Sequence, residues 1–124
     1  MMMNRYPYTN GHILVAPLKH VPDTSDMTPQ ARSELIEMTN LASQAIKLAV
    51  NAQGINIGMN IGRCAGAGVP GHAHMHLVPR WHGDVNFMDV VGQVRVIPQA
   101  IEESYKQICR ATQQLLTDND LPMT

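Results

Sequence analysis

The most regular pattern in the chain is the alternation of histidine with apolar residues over residues 72–77. Successive side chains of a β-strand point to opposite faces, so an extended segment places His72, His74 and His76 on one face and the intervening Ala, Met and Leu on the other. At a rise of ~3.3 Å per residue, neighbouring histidines lie roughly 6.5 to 7 Å apart. The pattern predicts a strand whose imidazole face surrounds one small polar group.

A long amphipathic helix is predicted between Thr28 and Gly54. Thr28 is a typical N-cap residue, Pro29 is typical of the first helical position, and Gly54 indicates a stop. Between them, apolar residues recur at intervals of three and four, as expected for one face of a helix. These residues are Leu35, Met38, Leu41, Ala42, Ala45, Leu48 and Ala49.

Shorter segments on either side of this helix have the composition of strands. Turn signals over residues 6–11 lead into a predicted strand over residues 12–17, and another predicted strand covers residues 55–61. Residues 94–97 are predicted to form a short edge strand. Pro98 opens a second predicted helix. Its shared face contains Ile101, Tyr105, Ile108, Thr112 and Leu115.

The order of these elements indicates an α+β fold with an antiparallel sheet. The strand over residues 55–61 and the histidine strand are joined by the glycine-rich residues 62–71, which are too few for the crossover helix of a parallel pair. The histidines are expected to face away from the helix-covered side. A length of 124 residues and 44% hydrophobic residues, with no repeat or linker, predict a single domain over residues 1–124.

Composition narrows the classes of function. A net charge of -1 provides no basic field for extended nucleic acid, although a small nucleotide needs only local contacts. No apolar stretch approaches the ~20 residues that span a bilayer, and the N-terminus lacks the pattern of a signal peptide. Cys64 and Cys109 have no CxxC spacing, so free thiols are expected. We therefore expect a cytoplasmic protein that does not bind membranes.

The aligned histidines allow two kinds of chemistry, besides forming an ordinary solvated strand face. Imidazole is a common zinc or iron ligand, and Asp84, His82 or His12 could complete such a site. Alternatively, a neutral imidazole attacks a phosphoryl group and forms a phosphoramidate that a second nucleophile releases. The middle residue, His74, is the expected attacker because an imidazole flanks it on each side. Glycines in residues 62–71 would let backbone N–H groups approach phosphate oxygens.

Five segments together resemble the histidine triad (HIT) superfamily. The triad signature is His-Ala-His-Met-His-Leu-Val over residues 72–78, and Gly-His-Ile-Leu-Val-Ala-Pro over residues 11–17 precedes it. Residues 65–68, 79–81 and 83–88 supply further matches, so that the resemblance covers roughly residues 4 to 90. The chain looks most like the branch that includes fragile histidine triad and diadenosine tetraphosphate phosphorylase-like proteins, rather than the galactose-1-phosphate uridylyltransferases.

The resemblance implies a nucleotidyl hydrolase or transferase that acts on dinucleoside polyphosphates or adenylyl conjugates. It implies a covalent nucleotidyl-histidine at His74, with His72 orienting the nucleophile and His76 contacting the phosphates. His12 is implied to support these histidines from a neighbouring strand. The implied substrate-binding residues are Asn4 at the ribose, and Asn60 with the backbone of Ala67, Gly68 and Val69 at the phosphates. No tightly bound metal is implied, and any magnesium accompanies the polyphosphate. Phosphorolysis, a metal-dependent hydrolase and a non-catalytic nucleotide-binding protein remain alternatives.

The resemblance also bears on assembly and on the base pocket. Similar proteins usually form homodimers with a sheet that continues across the subunits and the long helix at the interface, a contact that residues 35–48 could supply, although the stripe could equally pack within the monomer. They usually have several tens of residues before the matched asparagine, including a helix and a hairpin. Only three residues precede Asn4. We therefore expect a fold without that helix and hairpin, and a base pocket that is open or built differently.

Overall fold

A computed structural model describes residues 1–84 and 99–118. Four strands form an antiparallel sheet in the order β1-β2-β4-β3. The strands are β1 (Met2–Met3), β2 (Ile13–Val15), β3 (Gly54–Met59) and β4 (Met75–Arg80), and the helices are α1 (Pro29–Val50) and α2 (Ile101–Asp118). The predicted α+β class with an antiparallel sheet is confirmed. The predicted strand over residues 94–97 and the predicted helix start at Pro98 lie outside the described residues.

Pairing across the sheet separates an apolar face from the face that carries His76. Ile13 pairs with Leu77, and Leu77 pairs with Ile57, which places these three side chains in one row on the side covered by α1. On the opposite side, His76 pairs with Leu14 of β2 and with Gly58 of β3. Ile13 and Leu77 are buried in the core. The predicted separation of an apolar face from the His76 face therefore holds within β4.

The prediction that all three histidines lie on one strand is wrong. Strand β4 begins at Met75, so His72 and His74 belong to the connection that precedes it. Pairing of β4 with both neighbouring strands begins at this residue, because Val15 of β2 and Met59 of β3 each pair with Met75. Among the described residues, no strand pairs with His72 or His74. The connection is held instead by the Ala73 N–H, which donates to the carbonyl oxygen of Val21 at 2.7 Å.

Helix α1 begins as predicted but ends earlier. The Thr28 hydroxyl accepts from the Ala31 N–H at 3.1 Å, and Pro29 is the first helical residue. The helix ends at Val50 rather than at Gly54, because Asn51 adopts a left-handed conformation with φ 51°. Its buried residues are Leu35, Thr39, Ala42, Ala45 and Ile46.

The predicted apolar stripe of α1 is only partly correct. Met38 and Leu48 are exposed, whereas the polar Thr39 is buried and its hydroxyl donates to the Leu35 carbonyl oxygen at 2.7 Å. That bond satisfies the hydroxyl without any partner outside the helix. The helix is thus rotated relative to the predicted stripe, and the large apolar side chains of Ile36, Met38 and Leu48 remain at its surface.

Helix α2 packs mainly against α1. It buries Ser104, Ile108 and Ala111, while Tyr105, which was predicted to lie on its apolar face, is exposed. The Ser104 hydroxyl donates to Oε1 of Gln99 at 3.0 Å, which satisfies a polar group inside the packed surface.

The structure also bears on two predictions from composition. Neither α1 nor α2, the two long helices of the described ranges, is long and apolar enough to cross a membrane. Cys64 and Cys109 are free thiols, as expected.

Candidate active site

The ring of His74 is held in one tautomer by its own backbone. Its Nδ1 lies 2.8 Å from the carbonyl oxygen of His72. Because a carbonyl oxygen only accepts, Nδ1 must carry the proton of the neutral ring. The lone pair is then on Nε2, at the far end of a half-buried ring. This is the arrangement that a nitrogen nucleophile requires.

His12 and His76 form a second pair whose protons are also fixed by the backbone. The Tyr8 N–H donates to Nδ1 of the completely buried His12 at 3.0 Å. The neutral His12 ring therefore carries its proton on Nε2, which donates to Nδ1 of His76 at 3.0 Å. The neutral His76 ring must then carry its own proton on Nε2. His76 thus offers a hydrogen-bond donor on the nitrogen opposite His12.

The environment of His76 favours this neutral state. Burial lowers the pKa of His76 below the ordinary value of 6.5, and the charge of a protonated His74 lowers that pKa further. The two ring centroids are 4.8 Å apart. The ring that carries the lone pair on Nε2 of His74 and the ring that carries the donor nitrogen of His76 are therefore neighbours.

His72 anchors the connection before β4. Its Nε2–H donates to the carbonyl oxygen of Pro17 at 2.8 Å, and its ring centroid is 4.0 Å from that of His20. The part of His72 that contacts His74 is the backbone carbonyl. His20 is exposed. Its proximity to His72 depends on the path of residues 17–21 and has no signal in the residue spacing.

The predicted phosphate-binding residues lie in the loop between β3 and the histidines. The Ala67 N–H is already used, since it donates to the Gly62 carbonyl oxygen at 3.3 Å. The Asn60 side-chain amide lies 3.5 Å from the Gly66 carbonyl oxygen, at the limit of a hydrogen bond. No residue in the described ranges accepts from the N–H groups of Gly68 and Val69. Of the backbone donors predicted to bind phosphate, these two N–H groups remain for a ligand.

Asn4 lies against the buried end of the histidine pair. Its Oδ1 accepts from the Tyr6 N–H at 3.0 Å, and its Nδ2 lies 3.3 Å from Nδ1 and 3.4 Å from Nε2 of His12. The Asn4 N–H donates to the His12 carbonyl oxygen, which continues the pairing of β1 with β2. The structure thus brings Asn4, His12 and His76 together, and the ribose contact of Asn4 stays a prediction.

A cavity of about 510 Å³ extends from His76 along β3 and β4. At its other end, the Arg80 guanidinium holds Asp84 through two bonds, Nε to Oδ2 at 2.6 Å and Nη2 to Oδ1 at 2.9 Å. These bonds lower the pKa of Asp84 to about 2. Nη1 of Arg80 also donates to Oδ1 of Asn56 at 3.0 Å. The ion pair of Arg80 with Asp84 was not predicted from the sequence. Its only signal there is the spacing of the two residues, which are four apart across a turn.

Trp81 joins this end of the cavity to α1. Its indole N–H lies 3.2 Å from the Val50 carbonyl oxygen and 3.0 Å from that of Asn51. Both are carbonyls that the end of a helix leaves without an intrahelical partner. Trp81 therefore caps the C-terminus of α1.

Potential metal ligands do not converge within residues 1–84 and 99–118. No group of three His, Cys, Asp or Glu side chains in these ranges could hold a metal ion. Of the additional ligands considered from sequence, Asp84 is paired with Arg80, His12 is bonded to His76, and His82 is exposed.

Comparison with known proteins gives consistent matches. A family profile described as HIT domain matches residues 1–83. The AP-4-A phosphorylase of Mycobacterium tuberculosis is 39% identical over 103 residues, which are 83% of this chain and 53% of that protein. The asymmetrical bis(5'-nucleosyl)-tetraphosphatase of Schizosaccharomyces pombe is 36% identical over 72% of this chain and 48% of its own length. The chain thus spans about half the length of these curated relatives.

A solved structure shares the fold. The zinc-bound histidine triad family protein from Mycobacterium smegmatis has a TM-score of 0.76 and 28% identity, and the match covers 94% of this chain and 79% of that one. The similarity therefore covers most of this chain.

Proposed function

Because the chain belongs to the HIT domain family, we propose that it transfers a nucleotidyl group from a dinucleoside polyphosphate through a covalent intermediate on His74. One observation carries the proposal, the bond from Nδ1 of His74 to the His72 carbonyl oxygen. It leaves the lone pair on Nε2, in a ring whose centroid is 4.8 Å from that of His76. Two relatives are named for enzymes of diadenosine or dinucleoside tetraphosphates, which supports this substrate class.

In the first proposed step, Nε2 of His74 attacks the α-phosphorus of the substrate. The new N–P bond forms as the bond from that phosphorus to the bridging oxygen breaks, and ATP leaves from diadenosine tetraphosphate. Nε2–H of His76 donates a hydrogen bond to the oxygen on which charge develops. The free N–H groups of Gly68 and Val69 stabilise the other phosphoryl oxygens.

In the second proposed step, an acceptor attacks the same phosphorus and the N–P bond breaks, which regenerates His74. Water gives AMP, and inorganic phosphate gives ADP. The chemistry at His74 is identical in both cases. The 39% identical relative is named a phosphorylase, and this favours phosphate as the acceptor. The 36% identical relative, a tetraphosphatase, keeps water as the second candidate.

Rapid quenching with diadenosine tetraphosphate labelled at the α-phosphorus tests the covalent step. We expect acid-labile label on the wild-type protein and none on His74→Asn. His82→Asn is the matched control, because it makes the same change at an exposed histidine outside the proposed site. Label that persists on His74→Asn, or never appears on the wild type, contradicts the proposal.

Two alternatives predict different results. A metal-dependent hydrolase predicts stoichiometric metal in the purified protein and loss of turnover on chelation, and the zinc-bound neighbour makes this assay necessary. A nucleotide-binding protein without catalysis predicts AMP affinity and no turnover. We propose that any magnesium enters with the polyphosphate, because Mg²⁺ typically binds through substrate phosphates and one or two carboxylates.

We propose in addition that the protein is a homodimer joined at β3. This strand is at the edge of the described sheet, and its Ile57 is 49% exposed although it continues the row of Ile13 and Leu77. Met38 and Leu48 of α1 are exposed as well. An open strand edge beside exposed apolar side chains is a typical site of association. The single domain over residues 1–124 and the cytoplasmic location stay predictions.

A further inference from the structure

A second pocket, which we call the sulfur pocket, lies between the β1 edge of the described sheet and α2. Its volume is about 310 Å³. Its lining includes Met1, Met2 and Met3 at β1, Ile13 of β2, and Tyr105 and Cys109 of α2. The Ile13 side chain lies in the row of Leu77, on the opposite side of the sheet from His76. The sulfur pocket is therefore separate from the proposed transfer site.

Strand β1 brings two thioether side chains to one side of the sulfur pocket. Met3 pairs with Ile13, which is buried in the core, so the Met3 side chain lies on the core side of the sheet. Alternation along an extended chain puts Met1 on the same side. Met3 packs against the core, whereas Met1 is 41% exposed. Because methionine is unbranched and flexible, both sulfurs can adjust to one shared ligand.

Helix α2 supplies a third sulfur from the facing wall. Cys109 is a free thiol and is half-buried. Tyr105 lies one helical turn earlier, and its hydroxyl is hydrogen-bonded to the Cys109 sulfur. This hydroxyl can donate to the sulfur when Cys109 is a thiolate, which is the form of cysteine that binds metals. The sulfur pocket therefore combines one thiol with two thioethers.

These donors select a soft metal ion. Thiolate and thioether sulfurs favour Cu(I), whereas zinc is bound by thiolates, imidazoles and carboxylates. Among the described residues, no carboxylate or imidazole lines the sulfur pocket. No three His, Cys, Asp or Glu side chains of residues 1–84 and 99–118 could hold a metal ion. A metal in the sulfur pocket thus depends on the thioethers as ligands.

We propose that the sulfur pocket binds Cu(I) through the thiolate of Cys109 and the thioethers of Met1 and Met3. Coordination releases the thiol proton to solvent, and no electron is transferred because the ion is Cu(I) before and after binding. The charge of the thiolate cancels that of the ion, so the pocket gains no net charge in largely apolar surroundings. This site is independent of the proposed nucleotidyl transfer.

Anaerobic titration with Cu(I) held by bicinchoninate, a coloured competing chelator, tests the proposal. We expect the wild-type protein to withdraw stoichiometric Cu(I) from the chelator. Cys109→Ser and Met3→Leu should each lower the affinity for Cu(I) at least about tenfold, the scale on which lost contacts weaken a metal site. Leucine nearly conserves the volume of methionine, so Met3→Leu keeps the packing of β1. This variant keeps the test decisive even if Cys109→Ser fails to fold.

Two matched controls make the same changes elsewhere in the chain. Cys64→Ser removes an exposed thiol outside the sulfur pocket, and Met38→Leu removes an exposed thioether of α1. Both should keep the wild-type affinity for Cu(I). Cu(I) should also raise the Tm of the wild type and leave that of Cys109→Ser unchanged, because a ligand stabilises the folded state only where it binds.

Three outcomes overturn the proposal. In the first, the wild type leaves all Cu(I) with the chelator. In the second, Cys64→Ser weakens binding as much as Cys109→Ser, which shows adventitious binding to thiols. In the third, Met3→Leu keeps the wild-type affinity, which reduces the site to one thiol. None of these outcomes affects the label expected on His74, so the proposed function is tested separately.

Discussion

Nε2 of His12 lies 3.0 Å from Nδ1 of His76, and the His12 ring is completely buried. The proton on that nitrogen is determined by the Tyr8 backbone N–H on the other side of the same ring. A backbone group in a turn thereby fixes the tautomer of two successive imidazoles. His76 therefore presents Nε2–H as a hydrogen-bond donor, and no charged side chain is needed to fix the proton on that nitrogen.

Removing the His12 side chain should destabilise the fold. His12→Ala removes the acceptor of the Tyr8 N–H and the donor to Nδ1 of His76 at a part-buried site. Loss of such a bond to a partly buried group costs about 1–3 kcal/mol in the free energy of unfolding. Urea unfolding measures the loss. His82→Ala, at an exposed position, should stay within about 0.5 kcal/mol of the wild type. Equal stability of the two variants would show that the buried bonds contribute nothing.

The titration of His76 should occur below that of a free imidazole. Its pKa is lowered by burial and then by the charge of His74. We expect an NMR midpoint below 6.5 for the His76 ring, and an upward shift of that midpoint in His74→Asn, where only burial remains. An unchanged midpoint in the variant would contradict the contribution of His74.

The same pKa shift makes stability depend on pH with a defined sign. The unfolded chain binds a proton at His76 near pH 6.5, whereas the folded chain binds it only at lower pH. Its contribution to stability is therefore complete above about pH 6.5 and is lost as the pH falls through the folded pKa. Unfolding free energies measured across this window should decline less steeply in His76→Asn than in the wild type.

Releasing Arg80 from Asp84 should change which anions bind in the cavity. Asp84→Asn removes the carboxylate that neutralises the guanidinium, and the gained positive charge should tighten inhibition by inorganic triphosphate by up to about fivefold. Inhibition constants at two salt concentrations measure this effect, which salt should weaken. No change at low salt would indicate that Arg80 does not face the ligand.

A charge at the β3 edge of the described sheet should prevent the proposed dimer. Ile57→Lys places an ammonium group where the apolar row continues outwards, and we expect a monomer in sedimentation experiments at concentrations where the wild type is dimeric. Leu18→Lys, at a fully exposed leucine in a loop, is the control. A monomeric wild type, or a dimeric Ile57→Lys, would contradict an interface at β3.

The sequence predicted the class of the fold because its strongest signals are local. Thr28 and Pro29 mark the start of α1 by capping chemistry alone. The rotation of that helix was not predicted, because Thr39 satisfies its own hydroxyl within the helix and so can replace Met38 in the core. Which side of a helix is buried depends on the surface against which it packs.

The candidate site was predicted as a set of residues rather than as a geometry. Alternation placed His76 opposite Leu77 correctly, but it could not show that β4 stops at Met75, since this limit is set by the partners Val15 and Met59. The hydrogen bonds that fix the rings involve the backbones of Tyr8, His72 and Pro17. Such contacts cannot be predicted from residue types, because they are made by backbone groups that nearly every residue shares.

Trp81 gives the molecule a single intrinsic fluorophore in an informative place. It is the only tryptophan in the sequence, it directly follows Arg80, and its indole N–H is bonded to the last carbonyls of α1. Its emission therefore comes from one environment, shared by the far end of the cavity and the end of the long helix. Binding of a ligand against Arg80 should change the emission of this indole, and so should the onset of α1 unfolding. Both events can therefore be followed by intrinsic fluorescence, without any added label.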